Sequence, residues 1–379
     1  MFSDKEIKVC QVVSYSADSE YLRNLGLGLA GKGVAQLWVT LFDSGKEQPA
    51  WINEAKNMEY LCLDARSRYG FPFAALRLAK KLRQGKFKIV QTHLYEASLV
   101  GLLAGKLAGT HVKVLTRHHL DQALLIGKSL PIYVDKWEAR TADHIVTLGG
   151  AVKEHLVNRE GVPDEKITVV YQGFDFNRFS ATESERLEVR KEFGVDEGEF
   201  LIGTFGNFFP TKGHRFLLDA VSVLMEKYPN IRLFFVGGGG EESGVVDYVS
   251  KTGLDSKVKF AGFRKDVAAC MKACDLVVHP SLSEAFCQVL IETMSVGTPL
   301  ISTDVGGAKE VIEDGVTGTL VPPADAASLE KAVEEVLSDR ARAEAMANVG
   351  QSFVRNTFTL ERMIDRQYEL YCQWLGMKT

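Results

Sequence analysis

At 379 residues the chain exceeds what one hydrophobic core comfortably holds, so two domains are expected. A hydrophobic content of 46% with 25% charged residues is that of an ordinary globular protein and excludes a disordered or low-complexity chain. Net charge is −4 but uneven: residues 1–175 hold 23 Lys+Arg against 19 Asp+Glu and the remainder 22 against 30, so the two halves are expected to face different partners.

The opening stretch Met1 to Lys8 carries acids and runs straight into an apolar strand, unlike a secretory signal. The longest weakly polar run, Ala97 to Gly105, is too short to span a bilayer, and a cytoplasmic location is expected. The six cysteines at 10, 62, 270, 274, 287 and 372 lack metal-binding or disulfide spacing.

Through the first half, β-rich apolar runs at Ile7–Ser14, Gln36–Phe42, Glu59–Leu63, Ile89–Leu94, Val112–Thr116, His144–Leu148 and Ile167–Tyr171 alternate with helical stretches. Several lack period-two alternation, as parallel strands buried on both faces do. Residues 1–178 therefore read as a doubly wound, Rossmann-like domain. Its segment Gly26-Leu27-Gly28-Leu29-Ala30-Gly31 is a formal G-x-G-x-x-G, but it lies about ten residues past the first strand instead of at its end, which argues against an NAD-dependent oxidoreductase.

From Ala65 to Tyr95 stand Arg66, Arg68, Arg77, Lys80, Lys81, Arg83, Lys86 and Lys88 with no acid. The segment reads either as a solvated helix face or as a surface for anionic lipid at the inner face of a membrane or for a phosphorylated acceptor. No nucleic-acid partner is expected.

A charged helical segment, Glu183 to Phe193, precedes a second series of strands at Phe200–Phe205, Arg232–Val236, Val258–Gly262, Leu276–His279, Pro299–Thr303 and Gly318–Val321. Residues 198–359 thus read as a second Rossmann-like domain. The expected fold class is α/β, two doubly wound domains facing across a cleft. Helices follow at Ala326–Leu337, Ala341–Phe353 and Leu360–Trp374, the last apolar enough to need a docking partner.

In such sheets, ligands bind beyond the carboxyl ends of the strands. The loop Gly206-Asn207-Phe208-Phe209-Pro210-Thr211-Lys212-Gly213 opens a helix, where amides and one ammonium suit a diphosphate. It is not a Walker A loop, because Thr211 replaces its second glycine and Gly213 follows Lys212. Gly237 to Gly240, with Gly238 and Gly239 at their centre, let a ligand approach the backbone, and Phe263-Arg264 offers an aromatic face and a cation to a nucleobase. After His279-Pro280-Ser281, two glutamates eight positions apart, Glu284 and Glu292, flank a helix start whose amides suit an anion.

With those residues the second half resembles retaining GT-B glycosyltransferases, specifically glycosyltransferase family four. The matching run is Asp275 to Ser281, Glu284 through Glu292, Gly297-Thr298-Pro299, Gly306 to Glu310 and Gly315 to Val321, with Tyr171 to Phe179 similar to the family's end-of-domain signature. The resemblance assigns Glu284 to donor-sugar hydroxyls, Glu292 to ribose hydroxyls, the amides of Phe286, Cys287 and Gln288 to sugar or phosphate, and Lys212 to the diphosphate. Thr116-Arg117-His118 is similar to the strand end that sets a histidine by the transferred sugar, with His119 as the rival. The final helix would cross back to the first domain.

This chain departs from the family at Asn207, where arginine is usual, with Arg264 as the expected replacement cation. Cys287 stands where glycine is common. The loop Ser14 to Ser19 lacks the usual glycine pair, and no acceptor contact is carried there.

The resemblance implies transfer of a hexose-type sugar from a nucleoside diphosphate, UDP- or GDP-linked, to a glycan or glycolipid hydroxyl with retention, in lipopolysaccharide or other surface-glycan synthesis. No cofactor is expected to be obligatory, since the chain has no Asp-x-Asp pair for a divalent metal. A sugar-nucleotide epimerase of the same architecture and a non-catalytic nucleotide-sugar binding module are the alternatives.

Overall fold

The computed structural model describes residues 6–15, 19–42, 48–65, 67–118, 130–240 and 242–377. The chain forms two units, Met1–Gly173 with Leu360–Thr379, and Phe174–Thr359.

The first unit is a parallel sheet of β1 (Lys8–Val13), β2 (Ala35–Thr40), β3 (Met58–Cys62), β4 (Ile89–His93), β5 (Val112–Arg117), β6 (His144–Thr147) and β7 (Ile167–Val169), in the order β3-β2-β1-β4-β5-β6-β7. Helices cover both faces, so β2 and β4 are buried throughout. Buried polar side chains cluster toward one end of the central strands: Gln11, Gln91, His93 and Thr116. That composition is unusual for a core and marks a place where polarity has a use.

The G-x-G-x-x-G run lies inside the helix Glu20–Gly31, whose N-cap Ser19 accepts from the Leu22 amide. Its glycines serve packing. A Cβ at Gly26 would meet Trp51 at 2.7 Å, and one at Gly28 would run into Ile364 of the helix Leu360–Trp374. That final helix buries Met363, Leu370, Tyr371 and Cys372 in the first unit's core.

The second unit is a parallel sheet of β8 (Phe200–Phe205), β9 (Ile231–Val236), β10 (Val258–Phe260), β11 (Leu276–His279), β12 (Leu300–Thr303) and β13 (Thr319–Val321), in the order β10-β9-β8-β11-β12-β13. It begins at Phe174, earlier than the boundary read from sequence. The charged helix Glu183–Glu192 is the reason. Thr182 and Glu185 form a capping box at its start, and the buried Arg190 binds the Ala273 carbonyl, the Asp275 carboxylate and the carbonyls of Asp196 and Glu199. A helix tied this way is part of the domain, not a linker.

The helix expected at Ala341–Phe353 runs longer, Arg340–Thr357, because Asp339 caps its start by accepting from the Arg342 amide. All six cysteines are free thiols. Among the described residues, no helix is long and apolar enough to cross a membrane.

Candidate functional site

In the second unit the strand order reverses between β8 and β11, and the loops leaving those strands carry the charged groups. Glu284 Oε1 lies 2.6 Å from Lys212 Nζ, 2.7 Å from Ser281 Oγ and 3.0 Å from His279 Nε2. Three donors thus converge on one carboxylate oxygen. Burial works to raise the Glu284 carboxyl, but hydrogen bonding and charge from His279, with the Lys212 ammonium, outweigh it and hold the group at about 2. Glu284 is therefore an anion throughout the physiological range.

The backbone beneath this carboxylate is set by glycines. Gly213 has φ +64°, and a Cβ there would strike the Pro280 carbonyl, while the Leu282 amide donates to Thr211 O at 2.7 Å. The loops after β8 and β11 are thereby joined. Gly306, φ +52°, leaves room for the Glu284 carbonyl, which a side chain would displace. Thr303 Oγ1 donates to the Ser281 carbonyl at 2.5 Å and fixes the same turn from β12.

On the other side of Lys212 the loops after β8 and β9 stack. Gly206 donates to Val236 O at 3.0 Å, Phe208 donates to Gly238 O at 3.1 Å, and a Cβ at Gly237 would meet the Gly206 carbonyl. Gly239 has φ +147°, with the Phe208 amide 3.1 Å from where its Cβ would stand. Phe263 is 78% exposed yet rests on Gly238, whose absent Cβ would lie 2.6 Å from the ring. An exposed ring on a glycine backbone is a platform for a flat aromatic ligand.

Two of the expected site groups are engaged within the protein. Arg264 does not stand ready as a replacement cation: its guanidinium is held by Glu192 at 2.6 and 2.9 Å and by Asp266 at 2.9 and 2.7 Å, and it sits over the Phe193 ring. The Gln288 amide donates to Phe286 O at 3.0 Å, so it closes a turn instead of facing a ligand. Asn207 is exposed on its loop.

Cys287 caps the helix Gln288–Ser295 with φ −81° and its side chain buried. Since the backbone there needs no positive φ, a small side chain serves where glycine is common, and burial pushes the thiol well up, leaving it inert. Phe286 is partly buried, its ring edge-on to Phe358 at 6.1 Å. Glu292 lies one turn into the helix and is half-buried.

His279, Ser281 and His214 escaped the sequence reading as polar residues with work to do. His214 begins the helix after Lys212 and packs between Phe208 and Phe235. Burial, with the neighbouring His279 and Lys212, pushes its imidazole down to about 4. A histidine ending the apolar strand Leu-Val-Val-His was the available signal.

In the first unit His118 follows β5. Its Nε2 lies 3.3 Å from His93 Nδ1, and Tyr21 is edge-on to its ring at 5.3 Å. His93 is fully buried, and burial together with His118 pushes its imidazole far down, so it is neutral. Ser16, Arg66 and the rival His119 lie outside the described residues. Among the described residues no group of three or more His, Cys, Asp or Glu is placed to hold a metal ion.

Residues 185–353 match the family described as Glycosyl transferases group 1, and residues 19–178 match Glycosyltransferase Family 4. An uncharacterized glycosyltransferase MJ1607 of Methanocaldococcus jannaschii is 29% identical over 231 residues, 60% of this chain and 59% of that protein. The UDP-Gal:alpha-D-GlcNAc-diphosphoundecaprenol alpha-1,3-galactosyltransferase of Escherichia coli is 26% identical over 304 residues, 78% of each chain. Among solved structures, Anabaena Alr3699/HepE in complex with UDP-glucose aligns with a TM-score of 0.78 at 22% identity, covering 97% of this chain and 100% of that one.

Two parallel-sheet Rossmann-like units of this kind match the GT-B fold of glycosyltransferase structures. With both family matches, the chain is a GT-B glycosyltransferase resembling family four.

Proposed function

We propose that the protein is a retaining hexosyltransferase that uses a nucleoside-diphosphate sugar. The observation that carries the reading is the Lys212–Glu284 pair at the strand-order reversal, where a cation suited to phosphate and a carboxylate suited to sugar hydroxyls stand side by side. The anomeric carbon–oxygen bond to the diphosphate breaks, the acceptor oxygen bonds to that carbon on the same face, and the acceptor proton passes to the departing phosphate oxygen. Lys212 stabilises the charge that develops on the leaving diphosphate. Glu284 fixes the sugar, Glu292 takes the ribose hydroxyls, Phe263 carries the base, and Gly206, Gly238 and Gly239 admit the nucleotide backbone. His118 takes the role of the sugar-side histidine.

The acceptor class is a glycan or glycolipid of a bacterial surface, a reading supported by the Escherichia coli relative's name. The helix Phe71–Gly85 supports a membrane-facing version: it exposes Phe73, Leu76, Lys80 and Arg83, with Tyr69 just ahead of it. Apolar and basic groups on one outward stripe suit the interface of an anionic bilayer.

The test is a thermal-shift panel of UDP, GDP, ADP and CDP with their sugars, followed by turnover of the stabilising donor with lipid-linked and free glycan acceptors. Donor consumption only with acceptor, giving product of unchanged anomeric configuration, supports the proposal. Conversion of the donor's sugar without acceptor marks an epimerase. Tight binding without turnover marks a binding module.

A further inference from the structure

Behind His118 a chain of buried polar groups runs through the first unit without a break. His93 Nε2 lies 3.0 Å from Gln11 Oε1, Gln11 Nε2 donates to the Tyr371 hydroxyl at 3.1 Å, Tyr371 donates to Gln91 Oε1, and Gln91 Nε2 donates to Thr116 Oγ1 at 2.8 Å. Gln11, Gln91 and His93 are each 0% exposed, as is Tyr371 from the final helix. A buried network of this size costs more than an apolar core unless its order matters.

Its order fixes a proton. Gln11 Oε1 can only accept, so the hydrogen of the neutral His93 sits on Nε2 and His93 Nδ1 is an acceptor. The atom facing that acceptor, His118 Nε2, must then be the donor. We propose that Gln11, His93 and Tyr371 are positioning residues that set the His118 ring by keeping a proton on its Nε2, directed at His93 Nδ1. The kinetic part rests on the reading of His118 as the sugar-side histidine. The tautomer does not.

The chain also explains why Tyr371 must come from the final helix. Its hydroxyl accepts from Gln11 and donates to Gln91, and so sets the orientation of both amides at once. A phenylalanine would keep the ring and its packing while allowing either amide to turn over.

Nitrogen-15 imidazole spectra of the full chain read the tautomer directly. In the wild type, His118 is expected to carry its proton on Nε2, and in Tyr371→Phe and His93→Leu this population is expected to fall. His93→Gln, which keeps an acceptor toward His118 and a donor toward Gln11, should restore it. With an active donor and acceptor, His93→Leu should lower kcat by about tenfold, the equivalent of one buried hydrogen bond, with little change in donor KM. A His118 protonated on Nδ1 in the wild type, or a tautomer indifferent to Tyr371→Phe and His93→Leu, overturns the proposal. So does a changed tautomer with kcat unmoved. If the wild type turns over no nucleotide sugar, the functional reading fails while the spectra still decide the tautomer.

Discussion

Lys212 and Glu284 leave different strands, β8 and β11, and their charged atoms meet at 2.6 Å, with Ser281 and His279 donating to the same carboxylate oxygen. Each charge offsets the burial of the other, and the arrangement concentrates hydrogen bonding on Oε1.

Glu284→Gln keeps shape and removes the charge. The Glu284 carboxyl is lowered to about 2 in the fold, so its stabilisation is complete above the ordinary carboxylate range and disappears as pH falls through about 2. Chemical denaturation at pH 7 should show a loss of about 1–2 kcal/mol that narrows between about pH 4.5 and 2, and turnover should drop by about a hundredfold or more. A variant as stable as wild type at pH 7 would remove the structural account of the pair.

Gly306→Ala tests the backbone beneath that carboxylate. The substitution meets both a left-handed φ and the Glu284 carbonyl, so it should cost about 2–4 kcal/mol and weaken donor binding together with stability. Gly240→Ala, where no atom crowds the added carbon and φ is not left-handed, is the control and should stay within about 0.5 kcal/mol.

His214 makes the second unit acid-sensitive. Its folded value of about 4 lies below the unfolded one, so the unfolded chain takes up a proton first and stability declines as pH falls from about 6.5 to about 4. His214→Phe should remove a decline on the order of 2–3 kcal/mol from that window, read from urea midpoints at pH 7 and pH 4.5. An unchanged pH slope would show that His214 titrates normally.

Reversal of charge at Lys80, Lys81 and Arg83 should weaken binding to anionic vesicles by more than about a hundredfold, at roughly 1 kcal/mol for each basic residue lost before the added repulsion, and leave neutral vesicles unaffected. Sedimentation with phosphatidylserine liposomes measures this. Equal binding by wild type and variant would return the helix to the role of a solvated face.

Among the described residues all thirteen strands were legible: the central ones are buried on both faces and so written as apolar runs, the edge strands β3, β7, β10 and β13 are partly exposed but still β-rich, and the runs ended within a residue or two of the observed strands. Lys212 and Glu284 were legible from their place at strand ends. Of the two carboxylates that hold Arg264, Asp266 stands two positions on and could be seen in the sequence, whereas Glu192 lies 72 positions away and needed the fold. His279 was hidden for the opposite reason: beside a carboxylate only five positions on, it looked like the end of a strand, and only the turn through Ser281 brings its ring to 3.0 Å of Glu284. The Gly26–Gly31 run was set aside as a nucleotide motif from its position, but its use against Trp51 and Ile364 needed the packed helices.

The helix Leu360–Trp374 has a consequence for synthesis. Its residues Met363, Leu370 and Tyr371 complete the core of the unit that begins the chain, while all of Phe174–Thr359 must leave the ribosome before they do. At typical elongation rates that interval is on the order of ten seconds or more. The part translated first is therefore the part finished last, and during that wait its helix Glu20–Gly31 lacks the cover that Ile364 provides over Gly28. Chaperone dependence and nascent-chain proteolysis should concentrate there.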